Sequence, residues 1–306
     1  MSLYIWEWGF AMKSGFVGII GRPNVGKSSL LNSIMGKKIA ITSNKPQTTR
    51  NNIQGIYNDK DTQMVFVDTP GIHKPKNKLG KLLNKEAYFS MNDTDVILFV
   101  ADISTPLGKG DKFIIDMLNE VNKPVILVLN KIDRLSKEQI LLKIAEYKDL
   151  YNFTEIVPIS AIKKDNIDRL LDVIKKYLND NMRYYDEETY TNSSTEFIIA
   201  ELIREKILNL TDEEIPHSIT CIVEKIEYEK NIVNINGLII VDRESLKKII
   251  IGKQGTMIKE IGTLARNDIE LLLGKKVYLE LYVKVLPKWR DKDRYLQQLG
   301  FTEFNN

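Results

Sequence analysis

Apolar residues occur in short runs that alternate with segments whose apolar positions recur every three or four residues. Runs at 16–20, 64–67, 96–101, 125–129 and 156–159 have strand length and are bounded by polar and turn-forming residues. Between them, the stretches following Lys27 and covering 78–91, 109–121, 137–150 and 167–178 carry apolar residues at helical spacing. This alternation predicts an α/β domain over residues 12–180, with a mostly parallel sheet and helices on both faces. Residues 181–194 are rich in Asp, Glu, Asn, Thr and Ser and read as a linker. Beyond them the order becomes helix (195–210), two strands (217–229 and 232–242), two helices meeting around 252–255, and a strand (276–286). An α+β domain with a C-terminal tail, residues 195–306, is expected.

The chain has 306 residues, enough for two domains that each bury a core, and 43% hydrophobic with 28% charged residues rules out a disordered or low-complexity protein. No apolar run reaches the roughly 18 residues of a spanning helix. Residues 1–11 are aromatic-rich but lack a basic start and an apolar stretch of secretory type, so an extension or expression scar is expected, with Met12 as the natural start. The single cysteine, Cys221, lies in a β-branched run and is expected as a buried thiol, in keeping with a reducing cytoplasm. The net charge of +3 is small but unevenly spread. Residues 237–292 hold 12 Lys or Arg against 7 Asp or Glu, whereas residues 186–236 hold 4 against 12.

Gly21-Arg22-Pro23-Asn24-Val25-Gly26-Lys27-Ser28 follows an apolar strand and opens a helix, the setting in which a glycine-rich loop turns its N–H groups toward phosphate oxygens. Lys27 would neutralise phosphate charge, the Ser28 hydroxyl would ligate Mg²⁺, and Ser29 follows within the first helical turn. Asp68-Thr69-Pro70-Gly71 ends the strand at 64–67, placing a carboxylate near the metal and the Gly71 amide near a γ-phosphate. Asn130-Lys131-Ile132-Asp133 ends the strand at 125–129, and its last carboxylate can accept from guanine N1–H and the 2-amino group, which adenine cannot offer. Ser160-Ala161 ends the next strand, where a backbone amide can donate to guanine O6. Between the first two motifs, Lys45-Pro46-Gln47-Thr48-Thr49-Arg50 offers two hydroxyls to Mg²⁺, with Thr49 preferred over Thr48.

The runs GIIGRPNVGKS, KPQTTR, DTPGIHKPK, NKID and SAI resemble those of bacterial Era GTPases, within the translation-factor-like GTPases, and the resemblance extends over about residues 12–286. It implies a P-loop GTPase with GTP/GDP and Mg²⁺ as cofactors and slow hydrolysis. It also implies work in small (30S) subunit assembly near the 3′ end of 16S ribosomal RNA, and peripheral association with the inner face of the cell membrane. In related GTPases an asparagine at the position of Asn24 helps bind K⁺, which makes K⁺ a candidate cofactor. Ile72 stands where Ras-like proteins have a water-orienting glutamine, so the catalytic residue is unknown and the intrinsic rate is expected to be low.

In the second domain, Ile251-Gly252-Lys253-Gln254-Gly255-Thr256 offers a G-x-x-G element between two helices, and the element order resembles the type II KH fold that forms the C-terminal partner in the Era family. Gly15 to Gly18 and Gly18 to Gly21 show the same spacing, so the setting and the local positive charge carry this reading. Lys247, Lys248, Lys253 and Lys259 are candidates for phosphate contacts, with Ile249, Ile251, Met257 and Ile258 lining a groove for bases. Tyr282, Trp289 and Arg290 are candidates for stacking on bases. Lys74, Lys76, Lys78 and Lys81 form a basic stretch after the second motif, either a solvated loop or a link between nucleotide state and RNA. Neither His73 nor His217 has companions at metal-ligand spacing, so no zinc site is expected. A monomer is expected. The competing reading is a signalling GTPase whose second domain docks a protein or membrane, and an ATP-dependent enzyme is disfavoured by Asp133.

Overall fold

The computed structural model describes residues 12–45, 48–75, 77–212 and 215–301, without the side chain of His217. The expected extension (1–11), Pro46 and Gln47 of the threonine-bearing loop, Lys76 of the basic stretch and the end of the tail (302–306) lie outside the described residues.

The chain belongs to the class expected from its pattern, an α/β layer followed by an α+β layer. Among the described residues the first sheet has the order β2-β3-β1-β4-β5-β6. It comprises β1 (Lys13–Ile20), β2 (Ile53–Asp59), β3 (Thr62–Asp68), β4 (Val96–Asp102), β5 (Val125–Asn130) and β6 (Glu155–Ile159). β1 pairs in parallel with both β3 and β4, β5 continues the parallel set, and only the edge strand β2 is antiparallel, to β3. The strands β3, β4 and β5 are buried along their whole length, as near-continuous apolar runs require when helices cover both faces. Those helices are α1 (Lys27–Met35), α2 (Lys78–Asn92), α3 (Lys109–Leu118), α4 (Lys137–Lys148) and α5 (Ile167–Lys175). β2 is an element that the apolar runs did not announce, because Ile53 and Ile56 are separated by Gln54 and Gly55.

Register aligns Ile19 with Asp68, Asp102 with Asn130, and Asn130 with Ile159. All the motif-bearing loops therefore leave the sheet at its carboxyl edge, where β1 has neighbours on both sides and open α/β sheets bind ligands.

The second sheet joins β7 (Ile219–Tyr228), β8 (Ile232–Val241) and β9 (Lys276–Val285), with β7–β8 antiparallel and β8–β9 parallel. The helices α6 (Thr195–Leu210) and α9 (Thr256–Leu273) bury Ile199, Ile203, Ile261 and Ile269 in this domain's core. A single turn, α7 (Ile215–Ser218), precedes β7, and α8 (Glu244–Ile251) precedes α9. The tail forms a further helix, α10 (Asp293–Gln298), which the spacing analysis left as a tail.

Residues 181–194 do more than connect the domains. Ser14 Oγ donates to Met182 O (2.5 Å), Ile56 N–H donates to Tyr190 O (3.0 Å), and Gln63 Oε1 accepts from the amides of Tyr184 (2.7 Å) and Tyr185 (3.0 Å). The segment thus laces across β1, β2 and β3, with the Tyr184 ring edge-on to Phe16 at 4.9 Å. Polar composition reads as linker because its contacts are made by backbone and amide groups rather than by apolar side chains.

The second sheet's other face packs on the first domain. Leu79 and Leu83 of α2 form a buried cluster with Leu238, Ile240, Trp289, Leu296 and Phe301. Lys78 reinforces it with a salt bridge to Asp293 (2.8 Å), so this lysine of the basic stretch serves the domain contact.

Farther along the same helix, Glu86 lies beside Phe16, Val67 and Ser90 with its Oε2 buried and without a hydrogen-bond partner. Burial pushes its carboxyl up to about 7. Because the folded-state value lies above the unfolded one, folding holds this proton in the native state, and stability falls as pH rises from about 4.5 toward 7. Glu86→Gln is expected to raise stability at pH 8 by on the order of 1–2 kcal/mol and to leave stability at pH 4 nearly unchanged, measured by urea denaturation at both pH values.

Candidate functional site

The loop between β1 and α1 forms the floor of a cleft of about 380 Å³. Lys27, only 6% exposed, folds back so that its Nζ donates to the carbonyls of Gly21 and Arg22 (3.2 Å each). Burial pushes this ammonium down to about 8, opposed by the charge of Asp68. A phosphate at the loop would supply the anion that this buried cation lacks.

Ser28, Thr49 and Asp68 converge. Ser28 Oγ donates to Asp68 Oδ2 (2.6 Å) and lies 2.8 Å from Thr49 Oγ1, which in turn is 3.4 Å from Asp68 Oδ2. Asp68 is fully buried, its Oδ1 has no partner, and burial pushes its carboxyl up to about 6 despite Lys27. Two hydroxyls and a buried carboxylate with an unused oxygen are a hard oxygen donor set that fits Mg²⁺. Thr48 is not part of it: its hydroxyl turns back to the Lys45 carbonyl (2.6 Å). The expected preference for Thr49 has this geometric basis, and Thr48 lines the cleft outside the trio.

The base side is held by Asn130. Its Nδ2 donates to Val25 O (2.8 Å) and its Oδ1 accepts from the amides of Lys131 (2.8 Å) and Ala161 (3.1 Å), tying three loops together. Lys131 Nζ reaches Asn24 O (2.9 Å) and Asp102 (2.5 Å), so its aliphatic stem spans the cleft. Asp133 is exposed, and Ser160 Oγ donates to one of its oxygens (2.5 Å), which orients the carboxylate. That is the group expected to read guanine.

Several predicted site residues frame the cleft instead of facing it. The Arg22 side chain is directed to the buried Asp111 of α3 (2.8 Å), away from the phosphate position. Ile72 is 1% exposed in the sheet core, and its N–H is spent on Gly21 O (3.3 Å), so it neither contacts nucleotide nor polarises water. Val25 is in the core, Thr69 Oγ1 donates to Ile19 O (2.9 Å), Pro70 is buried, and Ile132 packs beneath the base loop. Gly71 does reach the cleft, and close approach demands a glycine: a Cβ there would lie 2.8 Å from the Pro23 nitrogen. Asn24, the candidate K⁺ residue, donates through Nδ2 to Asn44 O (2.7 Å).

Other cleft residues had no motif to mark them: Ile41 to Asn44, Arg134 and Asn209. Asn209 belongs to α6 of the second domain, and no local pattern could have placed it there.

At the G-x-x-G element, α8 ends at Ile251 and α9 starts at Thr256. Gly252 has φ 75°, and a Cβ would meet Met257 Cβ at 2.7 Å, so glycine is required for the turn. Lys248, Lys253, Gln254 and Lys259 are exposed around it, with Ile249 47% exposed beside them. Two expectations are corrected. Trp289 is fully buried, donates through Nε1 to Ser218 O (3.1 Å) and stacks on Phe301, so it offers no face to a base. Arg290 is held by Asp242 (2.8 Å) and acts in the fold. Tyr282, by contrast, is 46% exposed. Cys221 is buried, and burial pushes its thiol up to about 12, so it is unreactive at neutral pH.

Comparison with known proteins follows the same division. Residues 16–131 match the family model described as 50S ribosome-binding GTPase, and residues 214–290 match the KH domain model. The chain is 52% identical over 296 residues to GTPase Era of Leuconostoc citreum (strain KM20), covering 96% of this chain and 98% of that one. Among solved structures it is similar to an Aquifex aeolicus Era variant bound to GDP·AlF4⁻ (TM-score 0.92, 43% identity, 95% of this chain and 100% of that chain). It is equally similar to Era in complex with MgGDPNP and nucleotides 1506–1542 of 16S ribosomal RNA (TM-score 0.93, 43% identity, 95% and 100%).

The geometry around Asp133 generates a test. Asp133→Asn replaces one acceptor by a donor, which matches the 2-oxo group of xanthine better than the 2-amino group of guanine. GDP affinity should fall by about 10- to 100-fold while XDP affinity rises, read from competition against a fluorescent nucleotide.

Proposed function

This chain belongs to the Era family of GTPases, a GTP-hydrolysing domain followed by a KH domain, and from that premise we propose that it is a nucleotide-gated binder of the 3′ end of 16S ribosomal RNA acting in assembly of the small (30S) subunit. The observation that carries the gating is Arg50. It follows Thr49 in the chain, and it is 1% exposed within the second domain, donating to the carbonyls of Ile219 (2.5 Å) and Pro216 (2.9 Å) and facing the Trp289 ring at 5.8 Å. Burial first, and the charge of Arg204 second, push Arg50 down to about 9, so it stays charged at neutral pH and must keep its acceptors.

Mg²⁺, when bound with the nucleotide, draws charge from the phosphate oxygens. The chain's own contribution is steric and electrostatic. Lys27 holds phosphate, Ser28, Thr49 and Asp68 hold the metal, the Gly71 segment closes on Pro23, and the carboxylate of Asp133 selects guanine. When γ-phosphate is lost, the loop carrying Thr49 and the loop carrying Gly71 lose their common anchor. Both loops continue into domain contacts, Arg50 on one side and Leu79 and Leu83 on the other. Release therefore alters how the KH domain is held and how Lys248, Ile251, Gly252, Lys253, Gln254, Gly255 and Lys259 are presented to RNA.

A monomer working in the cytoplasm, with peripheral contact at the inner face of the membrane and K⁺ assisting at Asn24, completes the proposal. No helix of the described residues is long and apolar enough to cross a membrane.

The test measures affinity for an oligonucleotide of the 3′ end of 16S ribosomal RNA, with a non-hydrolysable GTP analogue and with GDP, at one salt concentration. Binding is expected to be at least about tenfold tighter with the analogue. Lys253→Asp should weaken RNA binding by about tenfold or more at unchanged GTP turnover. Equal RNA affinity of variant and wild type would instead favour a second domain that docks a protein or membrane.

A further inference from the structure

The helix α6 belongs to the second domain, yet it grips the loop between α1 and β2 at both ends. Arg204, 1% exposed, donates through Nη2 to the carbonyl of Thr48, while Glu201 fixes the guanidinium by bonds to Nε (2.7 Å) and Nη2 (2.5 Å). The adjacent Glu205, 3% exposed, accepts the Thr42 N–H at Oε1 (3.1 Å) and Lys38 Nζ at Oε2 (2.5 Å). One helical turn further, Asn209 lines the nucleotide cleft itself. Ile41, just before the gripped segment, is buried in the second domain's core.

These contacts bear on hydrolysis because of what lies between them. The Thr48 carbonyl and the Thr49 amide belong to one planar peptide. Fixing that plane from Arg204 sets the direction in which Thr49 leaves the chain, and Thr49 Oγ1 arrives 2.8 Å from Ser28 Oγ. The first domain supplies no comparable support for the Thr48 carbonyl among the hydrogen bonds of the described residues.

We infer that Arg204 and Glu205 are positioning residues for GTP hydrolysis, supplied by the KH domain to its own GTPase domain, and that they favour Mg²⁺-bound triphosphate over diphosphate by holding the loop that carries Thr49. The inference rests on the GTPase reading and adds a direction to it. The second domain responds to nucleotide, and it also completes the nucleotide site. A partner that displaces α6 from the loop would lower turnover without touching the nucleotide.

The experiment uses the full chain with Mg²⁺ and either GDPNP or GDP. Arg204→Met and Glu205→Ala are each expected to weaken GDPNP binding about tenfold or more, to raise the Mg²⁺ concentration for half-maximal turnover and to lower kcat, while GDP affinity changes less than about twofold. Arg204→Lys, which keeps the charge but not the fork, should recover part of the loss. In a Thr49→Ala background Arg204→Met should add less than about a twofold further loss, because both changes act through one hydroxyl. Equal losses for GDP and GDPNP, or effects that multiply in the Thr49→Ala background, would overturn the inference. Should Arg204→Met fail to fold, Glu205→Ala carries the same test. Wild-type turnover separates the two readings: a wild type that does not hydrolyse GTP defeats the function proposal, whereas active wild type with unaffected variants defeats only the role of α6.

Discussion

A buried guanidinium is costly unless its N–H groups meet acceptors, and two of them, Arg50 and Arg204, lie near one another where the loop that carries Thr49 enters the second domain. Their charges repel, so the arrangement persists only while each keeps its own partners. Arg204 has Glu201 and the Thr48 carbonyl, and Arg50 has two carbonyls of the α7–β7 corner. One cation comes from each domain and each donates to backbone of the other. Moving the loop by a hydrogen-bond length would cost Arg50 its two carbonyls and Arg204 the Thr48 carbonyl, which makes the loop's position discrete rather than graded. Thr49 sits between these two anchors, so the candidate metal site and the pose of the KH domain share one backbone segment.

The same economy of charge governs the cleft. Lys27 is a cation driven toward its neutral form by burial, and Asp68 is an acid driven toward its protonated form, each moderating the other across the site. Phosphate beside Lys27 and Mg²⁺ beside Asp68 would restore both to their charged forms, so triphosphate and metal each favour binding of the other. The buried aspartate oxygen without a partner is the structural trace of this requirement.

Backbone shape at the strand ends was legible in the sequence. The strand-loop-helix setting of Gly21 to Ser28, the convergence of Ser28, Thr49 and Asp68, and the Asn130 loop follow from short-range turns that parallel pairing brings to one edge. Side-chain direction was not legible. Arg22 belongs to a motif but points to Asp111, and Ile72 belongs to the core. Trp289 looked like a stacking residue because aromatic, basic and terminal residues cluster there, yet burying an indole with its N–H satisfied is worth more to the fold than exposing it. Asn209, Glu205 and Arg204 were illegible for another reason. Their significance depends on how two domains meet, which no periodicity encodes.

The uneven charge of the second domain takes on a different meaning in the folded chain. Its basic half was the evidence for RNA, but its acidic half supplies most of the carboxylates that meet the first domain's cations, beside the apolar contact of Leu238, Ile240 and Trp289 with α2. Glu205 and Asp268 receive Lys38 (2.5 and 3.2 Å), Asp212 receives Lys45, and Glu201 sustains Arg204. Three of these four carboxylates come from the acidic segment, and both lysines lie in the loop that carries Thr49. Pairing with the first domain's lysines spends these negative charges inside the chain, whereas Lys248, Lys253 and Lys259 around the G-x-x-G turn stay exposed. Segregating the two signs along the chain thus separates two candidate anion sites, the nucleotide cleft and the exposed lysines of the G-x-x-G turn. The helix α6, acidic at the interface and one turn from the cleft at Asn209, forms the boundary between them.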